Sequence, residues 1–289
     1  MARSTEQDSS ELIIRHEKLD LRIYLSSLSK LLLHEETIPE RVAELKREFF
    51  HDQIVKVPIV VDANTCVILD GMHRVAALRE LNCACVPVCA VDYQNPSIRV
   101  GAWYRTMSGE SSPDQVKSTL SASRLMLDAF SFDMTRFMEN PMLAVLFANG
   151  ECYRFMSSSS QTFGTIRIAE QCIRELGFVI KFETERDAFQ ALINKGTEAI
   201  MTLPKIDKAS IREAGLTGRL LPHKVTRHIV PARPLGVNVS IKTLTDQTVK
   251  IEETNRRFVA DLETRTITRE PSGAIIDGRR YDEETFIFN

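Results

Sequence analysis

Residues Val67 to Arg74 read VILDGMHR, an apolar strand that runs directly into a helix through an Asp-Gly pair. The strand must be buried in a sheet, and the helix must leave the N–H groups of its first turn without intrahelical partners. Those N–H groups converge on whatever lies beyond the turn, and glycine lets an anion approach the backbone closely. The site this pattern predicts is shaped for phosphate. His73 and Arg74 add side-chain donors in the first turn, where a cation is unfavourable beside the helix dipole unless an anion compensates it. These residues alone leave a plainer reading open, in which Asp70 is an ordinary helix N-cap and Arg74 a solvated surface charge.

The flanking sequence reads as a mixed α/β unit. Leu19 to Leu33 looks extended. Ile38, Val42, Leu45, Phe49 and Phe50 recur at helical spacing with Pro39 in the first turn, which predicts an amphipathic helix over residues 38–51. Pro58 to Val61 and Cys66 to Leu69 are short strands joined by the turn-rich Asp62-Ala63-Asn64-Thr65. Gly71 to Leu81 is helical, Val86 to Val91 is a strand, and residues 97–104 are either a strand or a helix start.

At 289 residues the chain exceeds what one hydrophobic core usually serves, so two lobes are expected. The segment MSGESSP, Met107 to Pro113, concentrates Gly, Ser and Pro and marks the boundary. The predicted layout is a disordered tail over residues 1–15, a first domain over 16–108 and a second α/β lobe over 114–289. In the second lobe Asn149-Gly150 signals a hairpin within Leu143 to Tyr153. Ile166 to Leu176 reads as a helix closed by Gly177, Phe178 to Phe182 as a strand, Asp187 to Asn194 as a helix and Ala199 to Leu203 as a strand. Residues 225–241 look extended, and Glu253 to Glu263 is a last amphipathic helix. Residues 114–142 suggest no function.

Composition narrows the partners. Lys and Arg number 37 against 39 Asp and Glu, a net charge of −2, which provides no global positive field for a nucleic-acid backbone. The longest apolar runs, Val57 to Val61 and Met142 to Ala148, are far shorter than the roughly 18–20 residues a spanning helix needs. The opening MARSTEQDSS lacks the apolar core of a signal peptide, so a cytoplasmic protein with six free thiols is expected. Cys83, Cys85 and Cys89 fall in an apolar strand, where cysteine acts as a small hydrophobe rather than a metal ligand.

Two further segments carry candidate chemistry. His34-Glu35-Glu36 follows the apolar Leu31 to Leu33 and precedes the first helix; its carboxylates either act chemically or merely complement the helix dipole. Val225-Thr226-Arg227-His228 sets a hydroxyl, a guanidinium and an imidazole on one extended stretch. It could grip a carboxylate or phosphate, or form an ordinary exposed strand.

Taken in order, LLLHEETIPERVAELK, VPIVVDANTCVILDGMHRVAALRELNCACVPVCAVDY, GAWY and KVTRHIVP resemble the ParB/sulfiredoxin superfamily, and more closely its free L-serine kinases. The resemblance covers most of residues 19–105 and an island near 222–240. It implies an α+β architecture: a ParB/sulfiredoxin-like N-terminal domain plus a second α/β lobe, with the active site in the interdomain cleft. It also implies transfer of the terminal phosphoryl group of ATP or ADP to the hydroxyl of L-serine, with Mg2+ as cofactor and O-phospho-L-serine as product. Carried over residue by residue, Glu35 is the general base, and Asp70 assists catalysis or organises the metal. Asp70, Gly71, Met72, His73 and Arg74 hold the nucleotide, while His34, Trp103, Thr226, Arg227 and His228 hold serine. The family's motif often has histidine where this chain has Met72, so no side-chain role passes to that position. The competing reading is a ParB-like nucleotide-binding protein that associates with DNA or regulates, without kinase activity.

Overall fold

The computed structural model describes residues 10–158 and 161–289. The chain divides into two compact units. The first runs to Arg99 and regains Lys208–Leu220 and His228–Asn289; the second comprises Val100–Asp207 and Leu221–Arg227.

The first unit is built on a five-stranded sheet in the order Leu12–Arg15, Asp20–Ser27, Cys85–Val91, Ile59–Asp62, Ile68–Asp70. Ile59–Asp62 and Cys85–Val91 run parallel and the other neighbours antiparallel. Every residue of Cys85–Val91 is buried, as expected of a central strand whose two faces are both covered. The helix Pro39–Asp52 packs on the helix Met72–Glu80. It buries Val42, Leu45 and Phe49, the positions its 3.6-residue period selects, while Phe50, on the same sequence run, stays exposed. A later segment of chain returns to this unit. The helix Ile251–Thr264 lies against Asp20–Ser27, and its buried Asn255 accepts the Leu25 amide through Oδ1 at 2.7 Å and donates to the Ser10 carbonyl through Nδ2 at 2.7 Å. Glu284–Phe288 then pairs in parallel with Ala232–Leu235 and antiparallel with Ile267–Glu270.

The second unit centres on a six-stranded antiparallel sheet in the order Val179–Thr184, Trp103–Ser108, Ala199–Thr202, Ala144–Phe147, Cys152–Phe155, Leu127–Ala129. The expected hairpin turns at Gly150, whose φ is 95°. The helices Thr162–Glu175 and Glu185–Ile193 form where their periodicity puts them. The fold class is the mixed α/β one expected.

Three expectations are corrected. Of the predicted tail, residues 1–9 lie outside the described residues, and Leu12–Arg15 is a strand paired with Asp20–Ser27. Met107 and Ser108 close a strand inside the second unit's sheet, so the Gly-Ser-Pro run that follows is no boundary. It serves the next helix, Pro113–Ala122, where Ser112 and Gln115 form a reciprocal capping box. The division falls instead at Arg99, and the chain from Lys208 onward, read from sequence as all second lobe, largely belongs to the first unit. The cysteines of Cys85–Val91 are buried free thiols, and among the described residues no cluster of His, Cys, Asp and Glu could hold a metal alone. No helix among those residues is long and apolar enough to cross a membrane.

Candidate active site

In the first unit the strand Ile68–Asp70 delivers Asp70 to Gly71, and the helix Met72–Glu80 begins there. Gly71 has a φ of 104°, and a Cβ built on it would lie 2.7 Å from Ile59 Cδ1 and 2.8 Å from Arg74 Nη2. The backbone angle demands glycine, while the two side-chain ends would have to shift to admit a Cβ. No side-chain cap hydrogen bond closes the start of this helix. Met72 is the half-buried first residue of the helix. His73 turns elsewhere: its Nε2 accepts the Ile38 amide at 3.0 Å, which ties the start of the helix Pro39–Asp52 to the turn.

Asp70 sits in a charge network that the sequence did not reveal. Its Oδ2 accepts from Arg74 Nη2 at 3.2 Å and from Arg233 Nη1, and Arg233 Nε in turn donates to Glu283. Burial alone would raise the Asp70 carboxyl, but Arg233 and Arg74 outweigh it and hold Asp70 well below the usual carboxylate range. Arg74 also donates through Nη1 to the carbonyls of Val57 at 2.5 Å and Pro58 at 3.1 Å, so its guanidinium braces the turn from inside. The hydrogen bonds from Arg74 and Arg233 both fall on Asp70 Oδ2.

The His-Glu segment is drawn beside the same strand by a parallel bridge between Leu32 and Val67. There the Leu32 amide donates to the Cys66 carbonyl at 3.1 Å, and the Ile68 amide donates to the Leu32 carbonyl at 2.9 Å. His34 and Glu35 follow at the level of Ile68–Asp70 and are buried, with 0% and 2% of their surfaces exposed. His34 Nε2 lies 3.9 Å from Glu35 Oε1. Burial pushes the His34 imidazole down to about 4, so near neutral pH it puts no positive charge beside Glu35. His228 meets His34 edge to face with ring centroids 5.4 Å apart, and its Nε2 is 2.8 Å from the Tyr93 hydroxyl. Burial, and then the neighbouring His34, push His228 down to about 3. Lys208 closes this side, lying 5.1 Å from the Tyr93 ring centroid and donating to the carbonyls of Tyr93 and Asn95, both at 2.8 Å.

Trp103, Thr226 and Arg227 belong to the second unit. Lys224 Nζ and the Arg227 guanidinium lie 5.0 and 5.7 Å from the Trp103 ring centroid. Thr226 is buried. Arg227 Nη1 is 3.8 Å from Glu185 Oε2, and Glu185 Oε1 accepts the Ala102 amide at 2.7 Å. A Cβ at Gly101 would lie 2.5 Å from Glu185 Oε1, so glycine there makes room for that carboxylate. The segment before Thr226 is held by Arg105, a fully buried guanidinium that donates to the carbonyls of Trp103, Lys224 and His223 at 2.7, 2.9 and 3.1 Å and to Glu170 at 2.7 Å. A buried cation with all its donors engaged fixes the Trp103 strand and the 223–227 segment against each other.

Tyr93, Arg105, Glu170, Glu185, Lys208, Arg233 and Glu283 are not singled out by any motif in the sequence. Among these only the neighbours of recognised motifs carry a local signal, such as Arg105 two residues beyond Trp103 and Arg233 five beyond His228.

No protein-family model matches the chain. An ATP-dependent L-serine kinase of Staphylothermus marinus is 25% identical over 227 residues, covering 76% of this chain and 90% of that protein. Among solved structures, a glutamate-to-glutamine variant of a free serine kinase in complex with AMP superposes with a TM-score of 0.66 at 17% identity, over 76% of this chain and 93% of that one. The chain resembles the free serine kinases. A ParB-like protein of Sulfolobus acidocaldarius is also 25% identical, over 203 residues that make up 70% of this chain and 88% of its own length. SbnI of Staphylococcus aureus, solved with a C-terminal truncation, gives a TM-score of 0.65 at 19% identity over 83% of this chain and 96% of that one. The fold expected from the motifs is therefore the fold found.

Proposed function

We propose that the protein is a free L-serine kinase that transfers the terminal phosphoryl group of ATP or ADP to the serine hydroxyl. The observation that carries this reading is the placement of Glu35, a buried carboxylate aligned by the Leu32–Val67 bridge with the strand that ends in the Asp70-Gly71 turn. A serine hydroxyl is a weak nucleophile, and a carboxylate shielded from water beside a phosphate-shaped turn is suited to take its proton. The curated relative's name specifies ATP and serine, and the solved relatives were captured with AMP and ADP.

In this reading the first-turn amides after Gly71 gather round the nucleotide phosphates, with Arg74 keeping the turn in shape and His73 tying the start of the helix Pro39–Asp52 to it. Glu35 accepts the serine Oγ proton, Oγ bonds to the terminal phosphorus, and the bond from that phosphorus to the bridging oxygen breaks, releasing the shortened nucleotide and O-phospho-L-serine. Thr226, Arg227 and Trp103 hold the amino acid's carboxylate and body. His34, His228 and Tyr93 form the neutral wall beside the base. Phosphoryl transfer asks mainly for alignment and charge stabilisation, which oriented amides and guanidinium groups supply.

Asp70, kept ionised by Arg233 and Arg74, would offer a carboxylate ligand to Mg2+ bound largely through the nucleotide. When bound, Mg2+ would neutralise phosphate charge.

The test is incubation with L-serine, Mg2+ and either ATP or ADP, read by mass spectrometry. O-phosphoserine with one nucleotide supports the kinase and identifies its donor. No product with either nucleotide, together with salt-sensitive DNA binding, overturns the kinase in favour of a ParB-like protein; the net charge of −2 argues against that outcome.

A further inference from the structure

The second unit contains a cleft of about 600 Å3 that the proposed chemistry leaves unused. Its wall is aromatic: Tyr104 and Phe189 meet edge to face at 5.9 Å, and Phe137 packs on Phe189 at 5.8 Å. Its rim is apolar and exposed. Met134, Met138 and Ile193 show 37, 47 and 70% of their surfaces, a concentration of large apolar side chains that solvent alone does not favour. The volume lies in the range of small-molecule sites, and the two methionines give the rim an adaptable lining.

The charges at the cleft select the ligand's head group. Glu185 lines it, but one carboxylate oxygen accepts the Ala102 amide and the other faces Arg227, so its charge is compensated. Arg186 also lines the cleft and forms no hydrogen bond or ion pair among the described residues. Lys205, also in the lining, makes only a 3.4 Å contact with the Met138 carbonyl among the described residues. Two exposed cations thus line a largely apolar hollow whose one lining carboxylate, Glu185, already faces Arg227. We propose that this cleft is a binding site for an amphipathic carboxylate, a ligand with an apolar body that fills the space between Phe189 and the methionines and one anionic head that meets Arg186 and Lys205.

The proposal stands apart from the kinase reading and is tested by binding alone. Calorimetry with decanoate, below its micellar concentration, is expected to show one saturable site on the full chain. Reversing both cations, Arg186→Glu with Lys205→Glu, should weaken that binding about tenfold, the scale of a lost charge-assisted contact. Ile193→Glu should weaken it similarly by placing a like charge at the rim. All three positions are exposed, so the variants are expected to keep the wild-type thermal midpoint. Decyltrimethylammonium should not bind. Absence of a saturable site, equal affinity for the charge-reversed protein, or equal binding of the ammonium probe would each overturn the assignment. So would a concentration-dependent dimer that Ile193→Glu abolishes, because the cleft would then belong to a second copy of the chain.

Discussion

Arg105 Nε donates to Glu170 Oε1 at 2.7 Å with the guanidinium wholly buried, and His223 Nε2 meets the other oxygen of the same carboxylate at 3.2 Å. One buried ion pair thereby fixes the stretch that presents Thr226 and Arg227. Arg105→Met, which keeps an apolar stem but removes the charge, should cost about 3 kcal/mol or more because it leaves Glu170 without its guanidinium. Thermal unfolding would measure the loss, and proteolysis in the 219–225 segment should quicken with it. An unchanged midpoint would show that the pair contributes nothing net.

Glu35→Gln preserves size and removes the proton acceptor. Phosphoserine formation should fall by about 10²- to 10⁴-fold while nucleotide affinity stays within a few-fold of wild type. Turnover near the wild-type rate would remove Glu35 from the role of base.

Gly71→Ala tests the turn. At a φ of 104° an alanine is strained, so the turn is expected to relax toward an ordinary backbone angle and carry the first-turn amides with it. Nucleotide binding should weaken by at least tenfold, whereas the affinity for serine alone should hold. Equal nucleotide affinity in the variant would detach the turn from phosphate recognition.

Arg233→Met removes the cation between Asp70 and Glu283. The Asp70 carboxyl should then titrate markedly higher, visible in its side-chain carbon resonance, and the first unit should lose roughly 3 kcal/mol of stability. An unmoved Asp70 titration would mean that Arg74 alone governs it.

His34 and His228 predict the pH response of stability. Their folded values, about 4 and about 3, lie below the ordinary 6.5, so the unfolded chain binds protons first as the solution is acidified. Their contribution is complete above about pH 6.5 and is lost as pH falls from there toward 4 and below. Urea midpoints at pH 7 and pH 4.5 should differ, and His34→Gln should flatten the difference. The same slope in that variant would place the sensitivity elsewhere.

Local patterns made much of the first unit legible. The Asp70-Gly71 turn, the helix Pro39–Asp52 and the hairpin before Ile68–Asp70 are each encoded within a few residues, by spacing, proline and turn chemistry. The helix Lys208–Thr217 escaped notice because its buried face is only Ile211, Ala214 and Gly215, small residues that let it lie against Val67 but give a weak apolar period. The Asp70 network was illegible for another reason. Asp70 and Arg233 stand 163 residues apart, and an ion pair has no periodicity to announce it. Arg105, flanked by Tyr104 and Thr106 on a strand, looks like an outward-facing charge until the carbonyls of His223 and Lys224 arrive around it.

The discontinuity of the first unit sets an order of events during synthesis. Asp70 leaves the ribosome 163 residues before Arg233, a lag on the order of ten to thirty seconds at ordinary elongation rates. In that interval every residue of the second unit is made, so it can complete its sheet while the strands of the first still lack the segment that covers them. Newborn chains therefore pass through a stage in which the second unit can be finished and the larger first unit, which bears Glu35, is not, and that stage is where a chaperone or a protease would find them.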